Sequence, residues 1–124
     1  MKFGTGRFYY MEARDDGVLM YTEDVNLIGS NYVNELLVPY SEIMGVRFID
    51  GGGFLPMIAL ILDVRGKNYP MNLKEPSPYK IQVVGGKYRE PALQMKQYIE
   101  DKLNELKDNE KFAYKIPPYK IPRR

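Results

Sequence analysis

Hydrophobic and polar residues alternate along the first two-thirds of the chain, which is the pattern of half-buried β-strands. Turn residues such as Asp16-Gly17, Gly29-Ser30-Asn31 and the run from Asp50 to Gly53 separate the apolar segments. Glu23-Asp24 is expected to interrupt the alternation between two strands, and IQVVGG is either a short strand or an extended lead-in. The sequence therefore predicts seven strands: GRFYYMEA, VLMYT, VNLIG, ELLVPY, IMGVRFI, MIALILDV and NYPMNL.

Two features predict where particular strands lie in a sheet. The segment MIALILDV is almost continuously apolar, which indicates burial on both faces or at the sheet centre. Pro39 and Pro70 lack the backbone N–H that a central strand must donate. We therefore expect the strands that contain these prolines to end there or to lie at a sheet edge.

A helical pattern follows the strands in the segment REPALQMKQYIEDKLNELKDN. Pro91 falls in the first turn, where its missing N–H does no harm, and Asp108-Asn109 is the expected end. One apolar stripe recurs at three- and four-residue steps through Ala92, Met95, Ile99, Leu103 and Leu106. We predict a mostly β (α+β) domain over residues 1–109 whose C-terminal helix lays this stripe on the strands.

The stretch GVLMYTEDVNLIG…ELLVPYSEI, about a fifth of the chain, resembles the bacterial pleckstrin-homology-like and GRAM families. The matching positions are Gly17, Thr22, Leu27, Pro39 and Ile43, and the order of strands followed by one helix extends the resemblance over the first 109 residues. It implies a barrel of about seven antiparallel strands in two nearly orthogonal sheets, closed at one end by the helix.

The resemblance also suggests a test of lipid binding, because relatives of this fold bind anionic headgroups through the loop between their first two strands. That loop is expected to be ARDDGV, in which Asp15 and Asp16 oppose Arg14. Two carboxylates would repel a phosphate group, so phosphoinositide binding is not expected.

Composition excludes several chemistries. The chain has no Cys and no His, which removes thiol chemistry, the Ser-His-Asp and Cys-His arrangements and the commonest metal ligand. The glycine pairs lack the spacing of a nucleotide-binding loop. Adjacent carboxylates, such as Glu23-Asp24 and Glu100-Asp101, point to different sides of a strand or helix. We therefore expect no enzyme activity, no cofactor and no metal.

Basic residues among the tyrosines could form a nucleic-acid platform, but packing is the simpler explanation.

The most unusual segment is the basic, proline-rich end, residues 110–124. Residues 111–124 carry five positive charges and no negative one, whereas residues 1–110 carry 13 basic and 16 acidic residues, a net charge of −3. Three prolines in the last eight residues favour an extended or polyproline path. The candidate interaction residues are Tyr114, Lys115, Ile116, Tyr119, Lys120, Ile121, Arg123 and Arg124.

These observations predict a non-enzymatic, pleckstrin-homology-like binding or scaffolding domain that acts through protein contacts as an oligomer. The tail would dock on a sheet edge of its own domain or of a second copy. The alternative is a peripheral anion binder whose tail engages membrane headgroups or nucleic acid. A cytoplasmic location is expected, because no export signal is visible and the apolar run from Phe54 to Leu62 is too short to span a bilayer.

Overall fold

The computed structural model describes residues 1–25, 31–67 and 77–115, which form seven strands and one α-helix. A short 3-10 turn, Tyr40–Glu42, follows β4, and a second, Gly86–Tyr88, precedes the helix. The elements are β1 (Lys2–Thr5), β2 (Tyr9–Ala13), β3 (Gly17–Val25), β4 (Asn31–Pro39), β5 (Ile43–Asp50), β6 (Met57–Val64), β7 (Lys80–Val84) and α1 (Arg89–Lys115).

The strands form two antiparallel sheets. The first contains four strands in the order β1-β2-β3-β4, and the second contains three in the order β5-β6-β7. Every described pairing joins strands that are consecutive in the chain. The prediction of a mostly β chain with two antiparallel sheets and one C-terminal helix is confirmed.

Five of the seven predicted strands correspond to β2, β3, β4, β5 and β6, and VNLIG lies outside the described residues except for Val25, the last residue of β3. Strand β1 was not predicted, because KFGT is only four residues long and contains Gly4, a residue that is depleted in strands. Strand β3 continues through Glu23-Asp24, because these residues pair with Val33 and Tyr32 of β4. The predicted strand NYPMNL lies outside the described residues, and the ambiguous IQVV segment is strand β7.

The additional strand changes which loop joins the first two strands. That loop contains Gly6, Arg7 and Phe8, whereas ARDDGV joins β2 to β3. The prediction that ARDDGV is the loop between the first two strands is therefore wrong. The loop in that place carries one charged residue, the cation Arg7.

Strand β6 lies at the centre of the second sheet and is buried on both faces, as its apolar run predicts. Ile58, Leu60 and Leu62 belong to the main core, and Ala59 and Ile61, which point the other way, are also fully buried. The core combines side chains from both sheets with one face of the helix. Its largest fully buried members include Phe3, Met11, Ile81, Met95 and Ile99.

The helix packs through the predicted stripe but continues beyond its predicted end. Ala92, Met95 and Ile99 are fully buried, Leu103 is partly buried against the core, and Leu106 is exposed. The helix continues through Asp108-Asn109 to Lys115, so residues 110–115, predicted to be extended, are helical.

The physical reason for the longer helix is the absence of a helix breaker before the prolines. Asp and Asn have only modestly unfavourable helix propensities, and no Pro or Gly occurs between Asp108 and Lys115. Ile116 precedes Pro117, which disfavours helical backbone at that position.

Among the residues that the structure describes, no helix combines the length and the apolar character needed to cross a bilayer.

Candidate functional site

Several carboxylates of the described residues form local hydrogen bonds. Glu100 accepts a hydrogen bond from Lys96 at 2.7 Å, and its neighbour Asp101 accepts one from Gln97 at 2.9 Å. Glu23 accepts a hydrogen bond from the Tyr21 hydroxyl at 2.7 Å. Across residues 1–25, 31–67 and 77–115, no group of three acidic side chains is placed to hold a metal ion. The acidic side chains serve local contacts on turns, strands and the helix.

The candidate site is instead the outer edge of β4, the last strand of the four-stranded sheet. Five consecutive β4 residues, 33–37, are exposed. Three of them are apolar: Val33 is 47% exposed, Leu36 39% and Leu37 41%. Because successive strand residues point to opposite faces, exposure of all five means that this part of β4 lacks cover on either face.

The hairpin of β3 and β4 extends beyond the rest of its sheet. The pairing of β2 with β3 ends at Tyr9 and Thr22, whereas β3 and β4 stay paired as far as Val25 and Asn31. This outer part of the hairpin has no β2 partner in the described register. Of the five exposed edge residues only Val33 belongs to this outer part, and residues 34–37 lie where β2, β3 and β4 pair side by side.

The pairing register identifies the backbone groups that face outward from β4. The Tyr40 N–H donates to the Asp16 carbonyl at 3.4 Å, one position beyond the pair of Gly17 and Pro39. Inward and outward groups alternate in an antiparallel ladder, so the amides of residues 33, 35 and 37 point away from β3. The nitrogen of Pro39 also points outward, which explains why a proline fits there. The predicted edge position of this strand is confirmed.

Two tyrosines form a platform beside this edge. The rings of Tyr10 and Tyr21 stack with their centroids 5.0 Å apart, and Tyr21 is paired with Glu35 across β3 and β4. The hydrogen bond to the Glu23 carboxylate, with a smaller contribution from desolvation, raises the pKa of Tyr21 to about 12. Tyr21 is therefore a neutral donor whose proton is held by Glu23.

The surroundings of the edge are uniformly acidic in sequence. Between Asp15 and Val46 the chain contains six acidic residues and no Lys or Arg. The acidic residues are Asp15, Asp16, Glu23, Asp24, Glu35 and Glu42. A ligand for the β4 edge would therefore meet Glu35 and Glu23, while the Lys2 ammonium, 4.5 Å from the Tyr10 ring centroid, supplies one cation beside the tyrosine platform.

The base of the hairpin is fixed by Tyr40 and Gly17. The buried Tyr40 donates its hydroxyl proton to the Arg14 carbonyl at 2.6 Å, which ties the β2–β3 loop to the end of β4. A Cβ atom on Gly17 would lie 2.3 Å from the Val38 carbonyl oxygen, so only glycine allows this approach. Burial, with smaller contributions from Tyr98 and the aspartates Asp15 and Asp16, raises the pKa of Tyr40 to about 12.

The structure does not bring the predicted tail residues together into a described site. Tyr114 and Lys115 lie at the C-terminal end of α1 rather than in an extended segment. The other predicted tail residues lie outside the described residues: Ile116, Tyr119, Lys120, Ile121, Arg123 and Arg124. Sequence reasoning missed the β4 surface, although the absence of basic residues between Asp15 and Val46 was a readable signal.

The described residues provide a partly apolar strand edge that carries Glu35, and the sequence adds a basic C-terminal segment. No family model, no curated protein and no solved structure matches the chain.

Proposed function

We propose that this protein is a non-enzymatic binding domain that accepts an extended protein segment along the β4 edge. The observation that supports the proposal is the outward row of backbone groups on β4, flanked by the exposed Val33, Leu36 and Leu37. An added strand would satisfy these backbone groups, and its alternate side chains would contact the apolar residues.

Charge favours a basic segment as the partner. Two β4 edges from different copies would place Glu35 and the other acidic residues of each hairpin near one another, which disfavours symmetric edge-to-edge pairing. A basic segment would be attracted to the same surface.

The chain itself contains a basic segment of suitable character. After the end of α1, residues 116–124 carry three positive charges and no negative one, and they include Tyr119 and Ile121 as apolar anchors. The prolines limit strand pairing to short stretches, so lysine contacts to the acidic edge would supply the rest of the attraction. We propose that the tail of one copy binds the β4 edge of another, which produces head-to-tail oligomers.

The architecture supports a pleckstrin-homology-like domain as the scaffold. A four-stranded and a three-stranded antiparallel sheet precede one C-terminal helix, and the helix buries Ala92, Met95 and Ile99 against both sheets. We also propose that the two sheets close into a barrel.

The test is a charge reversal on the edge, Glu35→Lys, with Glu105→Lys as the matched control on the exposed face of the helix. Sedimentation velocity over a concentration series measures self-association of each variant, and thermal melts confirm that each folds. We expect Glu35→Lys to weaken association by about tenfold, equivalent to about 1.4 kcal/mol, and Glu105→Lys to leave it unchanged.

Two results would contradict the proposal. Equal weakening by both variants would indicate a general charge effect, and a wild-type protein that stays monomeric at all concentrations would exclude self-association. Salt-sensitive binding of the wild-type monomer to anionic vesicles or oligonucleotides would then favour the alternative function, a peripheral anion binder that acts through the basic tail.

A further inference from the structure

The loop between β5 and β6, residues 51–56, places two large apolar side chains in water. Phe54 is 97% exposed and Leu55 is 70% exposed. Isolated exposed apolar residues are common on protein surfaces, but an almost completely exposed phenylalanine beside an exposed leucine at a hairpin tip is not. We call these six residues the tip loop.

The base of the tip loop is held in place by several hydrogen bonds. The Gly51 N–H donates to the Met57 carbonyl at 2.9 Å, and the Gly85 N–H donates to the Pro56 carbonyl at 2.9 Å. The Asp50 carboxylate accepts the Gly52 N–H at 2.9 Å and an Arg89 guanidinium N–H at 2.5 Å. The two exposed side chains therefore project from an anchored base.

The surface around the tip loop is apolar with balanced charge. Val84 pairs with Met57, the residue that follows the tip loop, and is half exposed. Leu93 lies one helical turn after Arg89 and is exposed. The chain carries no charge from Gly51 to Leu62. At the base, Asp50 forms an ion pair with Arg89.

We propose that the tip loop inserts into the surface of a lipid bilayer through Phe54 and Leu55. The inserted group is apolar and uncharged, so the ligand is the interface between headgroups and acyl chains and not a particular headgroup. Lys87 and Tyr88 stand next to this end, with the Lys87 ammonium 5.2 Å from the Tyr88 ring centroid. Lysine and tyrosine are residues that favour the membrane–water interface.

The shape and size of the tip favour a bilayer over a protein surface as its ligand. A stable protein interface buries about 800 Å² on each partner, whereas a phenylalanine contributes about 150–250 Å². The tip is narrow and convex, so it would need a matching pocket on a protein, whereas a bilayer accepts it without shape complementarity. The inference uses residues other than those of the β4 edge, so either proposal can fail without the other.

The experiment uses the absence of tryptophan from the chain, which makes Phe54→Trp the single tryptophan of that variant. Met44→Trp is the matched control, because Met44 is an exposed apolar residue near the opposite end of β5. Tryptophan emission is recorded during titration with phosphatidylcholine vesicles, with and without 0.5 M NaCl. We expect a blue shift for Phe54→Trp at both salt concentrations and no shift for Met44→Trp.

A second measurement uses the native side chains. Vesicle co-sedimentation of the Phe54→Ser/Leu55→Ser double variant should fall at least fivefold relative to wild type and to Met44→Ser, while its thermal melt stays close to wild type. The proposal is overturned by equal blue shifts in the two tryptophan variants, by binding that requires anionic lipid and disappears in salt, or by a blue shift of Phe54→Trp on self-association without vesicles.

Discussion

Gly17 shows how one residue determines the packing of the first sheet. The Val38 carbonyl oxygen would lie 2.3 Å from a Cβ atom at this position, and the obstructing atoms belong to backbone, which cannot move away easily. Gly45 is also a strand glycine, but no atom outside its immediate chain neighbours lies within 4 Å of the corresponding Cβ position. The two strand glycines therefore have different structural roles.

The first prediction compares alanine at these two glycines. Gly17→Ala should lower the free energy of unfolding by about 1–3 kcal/mol, because the new methyl group forces β3 and β4 apart. Gly45→Ala should change it by less than about 0.5 kcal/mol. Urea denaturation measures both, and equal effects would show that the approach at Gly17 is not tightly packed.

Tyr40, again a single residue, makes a pH-dependent contribution to the free energy of unfolding. Its folded-state pKa is raised to about 12 from 10, mainly by burial, so the folded protein retains the phenolic proton where the unfolded chain releases it. Below pH 10 both states are protonated and the contribution is constant. Between pH 10 and 12 the unfolded state binds fewer protons, so stability falls as the pH rises.

The second prediction follows from this fall in stability at high pH. Raising the pH from 8 to 11 should lower the urea midpoint of the wild type more than that of Tyr40→Phe. At pH 8, Tyr40→Phe should itself cost about 1 kcal/mol, because the Arg14 carbonyl loses its donor. A pH response that is identical in the two proteins would exclude Tyr40 as the source.

At the scale of elements, the helix is attached to the sheets through its first half. Ala92, Met95 and Ile99 are fully buried, and burial decreases through Leu103 to Leu106. The stripe in the sequence has the same apolar spacing throughout, so the sequence does not distinguish its buried part from its exposed part. The difference is visible only in the folded structure, in which Ala92, Met95, Ile99 and Leu103 pack against the core and Leu106 does not.

The third prediction concerns the decrease in burial along the helix. Ile99→Ala should lower the free energy of unfolding by about 2–5 kcal/mol, because it leaves a cavity in the core. Leu106→Ala should cost less than about 1 kcal/mol. Comparable losses in urea denaturation would mean that the C-terminal half of the helix is buried in solution, through a second copy or another part of the chain.

At the scale of the whole molecule, charge is divided along the chain. The segment from Asp15 to Val46 has six acidic and no basic residues, and residues 111–124 have five basic and no acidic residues. The net charge of +2 conceals this division. Opposite charges on two regions of one molecule favour attraction between copies. Salt screens this attraction, so its strength depends on the ionic strength.

The fourth prediction tests the basic region directly. Deletion of residues 116–124 leaves α1 complete and removes three of the five positive charges, so it should weaken self-association at low salt while the melting temperature of the monomer stays unchanged. Raising the salt concentration should weaken association of the wild type and bring it close to the deletion variant. Sedimentation velocity that shows no effect of the deletion would exclude the tail from the contact.

The sequence alone determined the elements whose signals are local. Alternation and turn residues identified β5 and β6, the apolar run identified the buried centre of the second sheet, Pro39 identified an edge strand, and the stripe from Ala92 identified the helix. These predictions succeeded because periodicity, proline geometry and burial act through neighbouring residues.

Only the tertiary structure decided which segments pair, where the helix ends and which surfaces remain exposed. Pairing with β2 turned the weak KFGT segment into β1, and pairing with β4 carried β3 through Glu23-Asp24. The exposure of the β4 edge and of Phe54 likewise depends on what lies beside them in space. Strand pairing and burial are set by contacts between residues distant in the chain, and single-sequence periodicity contains no record of those contacts.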